Sequence, residues 1–222
     1  MKNRIDMICP DMLAGKRVLF ITDGINNISD IITCFKTAGC EISVGNFDDV
    51  TDLDTQVPGR FGDPDILVIC NGRFSSRPMQ DIDGDSWASN VELPLRTAYL
   101  CCRYFSEGMI VKGWGRIILI SAVQAKTGGW NTGGDVGYGT LTMSLCGLAR
   151  SLAVELASSG ITVNSVLPML DYENVDHIKD TVPLDVLPDV TDVGGAALFL
   201  ASERASFITG YSLDINCGLY MD

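Results

Sequence analysis

The chain has 222 residues, enough to bury one sizeable core but not two, and its 28 acidic against 16 basic side chains give a net charge of −12. That balance excludes the basic footprint needed for nucleic acid or an anionic membrane surface, so neither is expected as a partner. No apolar run reads as a membrane span, Met1 to Pro10 lacks the apolar stretch of a secretory signal, and the eight cysteines show no C-x-x-C spacing. The expectation is a cytoplasmic protein with free or buried thiols, without a disulfide framework or a metal site. The sole histidine, His177, falls in a polar loop, which argues against a histidine-based metal centre or hydrolase triad.

Arg17 to Thr22 is a short apolar run suited to a buried parallel strand, and Ser29 to Ala38, stopped by Gly39, reads as a helix. Glu41 to Val44 alternates like a second strand. Asp65 to Cys70 and Arg116 to Ile120 are further apolar strands, separated by a helical stretch from about Ser86 to Met109. Gly139 to Ser158 predicts a helix, Thr162 to Leu167 a strand, Val190 to Ala201 a helix and Tyr211 to Ile215 a last strand. Strands alternating with helices imply an α/β, Rossmann-like doubly wound parallel sheet, one domain over residues 1–222. Only eighteen residues separate Asn46 from Asp65, whereas a strand-helix-strand unit needs about 30. One edge strand and its helix are therefore expected to be missing, although Asp49-Val50-Thr51-Asp52 lies there. Neither internal repeats nor low-complexity segments interrupt the order.

The stretch Gly137-Tyr138-Gly139-Thr140-Leu141-Thr142, running through Gly147 to Ala157 into Gly160-Ile161-Thr162-Val163-Asn164-Ser165-Val166-Leu167-Pro168, resembles the tyrosine helix and following strand of the short-chain dehydrogenase/reductase family. The resemblance covers almost the whole chain. It implies a nicotinamide cofactor, NAD or NADP, and alcohol or ketone chemistry. Against the family pattern, Tyr138 is kept, but Thr142 stands for the lysine, Ala122 for the serine and Pro94 for the helix asparagine. Ser121, one residue early, and Lys126, in the following loop, are the candidate substitutes. In the phosphate turn Asp23, Asn27 and Ser29 occupy the three glycine positions, where they could cap the helix instead. Asn46 ends the second strand without the family's acidic or basic ribose partner, and Asn71-Gly72 keeps the end of the family's N-N-A-G turn. After Pro168, fourteen residues precede Pro183 in place of a longer lid over the substrate.

These departures lead to the expectation of no catalytic set and no cofactor in this chain: a non-catalytic subunit. It would assemble with an active family homologue that carries the NAD or NADP, in a hetero-oligomer, as a heterotetramer, on a hydroxyacyl-CoA in aromatic degradation. Leu100 to Met109, Ser144 to Ala157 and Phe207 to Tyr211 match segments that form subunit contacts in the family. Tyr99, Tyr104, Phe105, Leu145 and Leu148 are then interface candidates, with core packing the alternative for many of them. Two other readings stay open: an oxidoreductase with unconventional groups built on Tyr138 and Ser121, and a stand-alone metabolite-sensing module.

Overall fold

The computed structural model describes residues 8–23, 28–47, 61–70, 77–129, 136–169 and 182–221. His177, Asn27, Asn71-Gly72 and Asp49 to Asp52 lie outside these residues. The strands are β1 (Arg17–Thr22), β2 (Glu41–Asn46), β3 (Ile66–Cys70), β4 (Gly115–Ile120), β5 (Ile161–Pro168) and β6 (Ser212–Ile215). All pair in parallel in the order β2-β1-β3-β4-β5-β6. Among the described residues no strand lies beyond β2; most of the interval between Asn46 and Asp65 lies outside them.

The helices are α1 (Ile28–Thr37), α2 (Gly84–Trp87), α3 (Leu93–Lys112), α4 (Gln124–Thr127), α5 (Val136–Leu156) and α6 (Val190–Ala201). Side chains alternate across each strand and so feed two cores. Leu19, Ile21, Leu67, Ile69, Ile117 and Leu119 pack towards α3 and α5, while Val18, Phe20, Ile66, Val68, Ile118 and Ile120 pack towards α1 and α6. Each such side chain contributes about 1.5–3 kcal/mol when fully buried. Gly39, at φ +86°, ends α1 with the left-handed residue that a helix stop favours.

Pro94 does not break its helix. Between α2 and α3 the residues Ala88–Glu92 form a π turn, and the Leu93 N–H donates to Ala88 O. The wider turn ends just before the proline, which sits in the first turn of α3, where its missing donor is least costly. The Asn90 side chain donates to Ser86 O at 2.7 Å and steadies the same turn.

Two expectations are corrected here. Phe105 and Leu145, taken as interface candidates, are 2% and 0% exposed within the single chain; they are core. Of the same group Tyr99 is exposed, and Tyr104 and Leu148 are half-buried. Second, α5 with the turn after it, Val136–Ser159, is long and apolar enough to cross a membrane. Its apolar character is used to pack on the sheet, since Leu141, Leu145, Ala149, Ala153 and Leu156 join the core formed with α3.

At the amino ends of the strands Asp65 ties three elements together. It accepts from the Arg17 N–H at 2.9 Å and pairs with the Lys112 ammonium at 2.7 Å. Burial alone would raise its pKa, but the Arg17 N–H, Lys112 and the Arg17 charge together hold it below the usual carboxylate value. A carboxyl depressed in the fold stabilises it fully above its unfolded value, near pH ~4, and that contribution fades as pH falls through the folded value. Asp65→Asn is therefore expected to lower the melting temperature at pH 7, and the gap to the unmodified chain should narrow as pH falls through the folded value of Asp65 and close below it. Thermal melts across that range check it, and a gap independent of pH would refute the ion-pair account.

Candidate functional site

The connection from β1 goes outward to β2, and the chain then returns to place β3 on the other side of β1. That reversal opens a crevice at the carboxyl ends of β1 and β3, the place where doubly wound sheets bind ligands. Thr22 and Cys70 are paired at its floor. Asp23 follows Thr22 and is half-buried. Burial pushes the Cys70 thiol up strongly, and the Asp23 charge adds to it. Ser29 is exposed in the first turn of α1, with its carbonyl accepting from Thr33 Oγ1 at 2.7 Å. Asn46 is exposed at the end of β2, in register with Thr22. Beside it Phe61 lies so close to Gly45 that a Cβ there would come within 2.6 Å of the ring.

The second half of the site lies beyond β4. Past Ile120 the ladder with β5 continues, through the Ser121 N–H to Val166 O at 2.8 Å and the Val123 N–H to Pro168 O at 3.0 Å. Ser121, Ala122 and Val123 are all buried. Tyr138 stands in the first turn of α5, half-buried against the α3–α5 core. One turn on, Thr142 is fully buried. Its hydroxyl donates back to Tyr138 O at 2.8 Å, with Gly139 O at 3.2 Å, and its carbonyl accepts from Ser121 Oγ at 2.8 Å.

The structure thus brings Tyr138, Thr142 and Ser121 together, but through backbone carbonyls. Ser121 faces α5, yet its hydroxyl is committed to the helix. Ala122 offers no hydroxyl, and Pro94 no amide. Lys126 is paired with Asp214 at 2.6 Å, with only 10% of its side chain exposed, and lies 5.2 Å from the centre of the Tyr220 ring. The partner of Lys126 went unread in the sequence because it stands 88 residues away. The Ser121–Thr142 link had a sequence signal: alternation along β4 puts Ser121 on the Leu119 face, which is the face that α5 covers.

No group of three or more metal-ligating side chains occurs among the described residues. All eight cysteines are free thiols. Cys34 and Cys40 are pushed up to about 11 and Cys101 to about 12, each chiefly by burial, which makes them poor nucleophiles at neutral pH.

Residues 22–220 match the family described as Enoyl-(Acyl carrier protein) reductase. Nodulation protein G of Azospirillum brasilense is 31% identical over 194 residues, spanning 83% of this chain and 78% of that protein. The 3-oxoacyl-(acyl-carrier-protein) reductase FabG of Haemophilus influenzae is 32% identical over 195 residues, 84% of this chain and 79% of the relative. In structure, a 3-oxoacyl-(acyl-carrier protein) reductase with bound NAD from Brucella melitensis superposes with a TM-score of 0.86 at 19% identity, over 100% of this chain and 97% of the other. The expectation of a non-catalytic subunit is overturned by the FabG relatives, which are named as 3-oxoacyl-(acyl-carrier-protein) reductases. The family match spans both halves of the site, and the chain belongs to the short-chain dehydrogenase/reductase family.

Proposed function

We propose that this chain is a reductase that converts the ketone of a 3-oxoacyl thioester to the alcohol, with Tyr138 as the proton donor. The carrying observation is the placement of Tyr138 in the first turn of α5, beyond the carboxyl ends of β4 and β5. The names of the relatives supply the substrate class.

A reduced nicotinamide dinucleotide would lie across the crevice between β1 and β3. The Asn46 amide can both donate to and accept from ribose hydroxyls, which suits either NAD or NADP. Asp23 works against the pyrophosphate: two like charges ~4 Å apart cost about 4 kcal/mol at an effective dielectric of ~20. The donor set therefore fits the cofactor with reduced affinity. When bound, the dinucleotide supplies the hydride.

Tyr138 does the rest. As the carbonyl carbon gains hydride, the carbonyl π pair moves to oxygen, and that oxygen takes the phenolic proton to become the hydroxyl. Solvent then returns a proton to the tyrosinate. At its reference pKa near 10, a phenol is protonated in all but about one molecule in a thousand at pH 7. Proton donation needs no nearby cation, whereas alcohol oxidation needs the tyrosinate that a lysine would favour. Thr142 brings a hydroxyl and no charge to the position of that lysine. Mixing the chain with acetoacetyl-CoA and NADH or NADPH should give loss of nicotinamide absorbance. Absence of turnover with both cofactors at millimolar concentration would overturn the proposal.

Charge in the crevice gives a separate expectation. Asp23→Asn should tighten NAD(H) or NADP(H) binding by about 10–100-fold, less than the full Coulomb figure because water reaches the half-buried carboxylate. Titration of nicotinamide fluorescence reads this. An unchanged dissociation constant would mean that Asp23 does not face the pyrophosphate.

A further inference from the structure

We infer that Ser121 and Thr142 are positioning residues that aim Tyr138, a role that rests on the reductase reading above. Three links run from the sheet to the tyrosine. The Ser121 N–H is anchored on Val166 O at 2.8 Å; the Ser121 hydroxyl donates to Thr142 O at 2.8 Å; the Thr142 hydroxyl donates to Tyr138 O at 2.8 Å. Ser121 is 3% exposed and Thr142 0%, so water cannot replace either hydroxyl.

Back-bonding by a helical threonine or serine is common and by itself says little. Ser144 does the same to Thr140 O at 2.7 Å on a more exposed part of α5. What sets Thr142 apart is the crossing bond from Ser121, which fastens its carbonyl to the end of β4. Cys146 Sγ, one turn further along α5, shares that carbonyl at 3.3 Å, but that bond stays within the helix, so the tie to the sheet is the Ser121 bond. The tyrosine turn therefore inherits its position from the β4–β5 ladder. Where a lysine would have contributed charge, these hydroxyls contribute geometry, and a displacement of about 1 Å at a proton-transfer distance can cost ~10²-fold in rate.

Thr142→Val keeps the shape and removes the hydroxyl; Thr142→Ser restores it. With acetoacetyl-CoA, Thr142→Val and Ser121→Ala are each expected to lower kcat by about 10–100-fold with KM nearly unchanged, and Thr142→Ser to stay within about threefold of the unmodified chain. The double variant Ser121→Ala/Thr142→Val should lose much less than the product of the two single losses, because both cut one chain of contacts. Thermal melts confirm that each variant is folded. A second readout looks at the tyrosine directly: in the chain labelled with ring-¹³C tyrosine, the Tyr138 resonance, assigned by its loss in Tyr138→Phe, should shift or broaden in Thr142→Val and Ser121→Ala but not in Thr142→Ser. Turnover by the unmodified chain together with unchanged kcat in Thr142→Val overturns the positioning role alone. Absence of turnover overturns the reductase reading, and an undisturbed Tyr138 resonance overturns the positioning role whether or not the chain turns over.

Discussion

Tyr138→Phe is expected to lower the turnover of a 3-oxoacyl thioester by about 10²–10⁴-fold, the usual loss when a general acid is removed. The substitution is informative because it separates two duties of one side chain. Tyr138 packs its ring against the α3–α5 core, and phenylalanine preserves that packing. Only the hydroxyl goes, with at most about 1.5 kcal/mol of stability if it makes one ordinary hydrogen bond. A fall in kcat with an almost unmoved melting temperature would assign the hydroxyl to chemistry. The same rate in Tyr138→Phe would leave the ring as a packing group and remove the proposed proton donor. Among neighbouring groups Ser121 is tied to Thr142 O, Ala122 has no proton to give, and Lys126 is paired with Asp214.

Much of the scaffold was legible because local signals agreed with the tertiary result. The start and end of α6 fall where the sequence put them, and the reason is visible in the capping box between Asp189 and Asp192. The apolar runs of β1, β3 and β4 read as buried parallel strands because both faces are covered. Pro94 was harder. Its effect on the helix depended on a π turn whose hydrogen bonds no side-chain pattern announces. The missing family residues at Thr142, Ala122 and Pro94 were plain in the sequence, but the conclusion drawn from them was too strong. Substitution shows which side chain is gone; it does not show that Ser121 and Thr142 hold the tyrosine by their own bonds. Lys126 escaped for a different reason, since its partner Asp214 becomes a neighbour only when β6 docks beside β5.

Leu145→Asp is expected to unfold the chain, where the sequence had suggested a surface substitution that would only disturb assembly. Leu145 lies in the α5 face that meets α3 and the sheet, with none of its surface exposed. Truncating such a leucine alone costs about 2–5 kcal/mol, and a carboxylate in its place must be either buried without a partner or protonated at a further cost. Together these approach or exceed the 5–15 kcal/mol that typically holds a domain folded. Phe105→Asp should behave in the same way, since Phe105 is 2% exposed and stacks edge-on against Tyr104. Val154 supplies the control. It sits on the same helix but is 84% exposed, so Val154→Asp should leave the unfolding midpoint within about 0.5 kcal/mol of the unmodified chain. Urea unfolding followed by circular dichroism distinguishes the two positions: a folded Leu145→Asp chain with an ordinary midpoint would mean that the α3–α5 core does not close as described, and would take with it the support that holds Tyr138 in place.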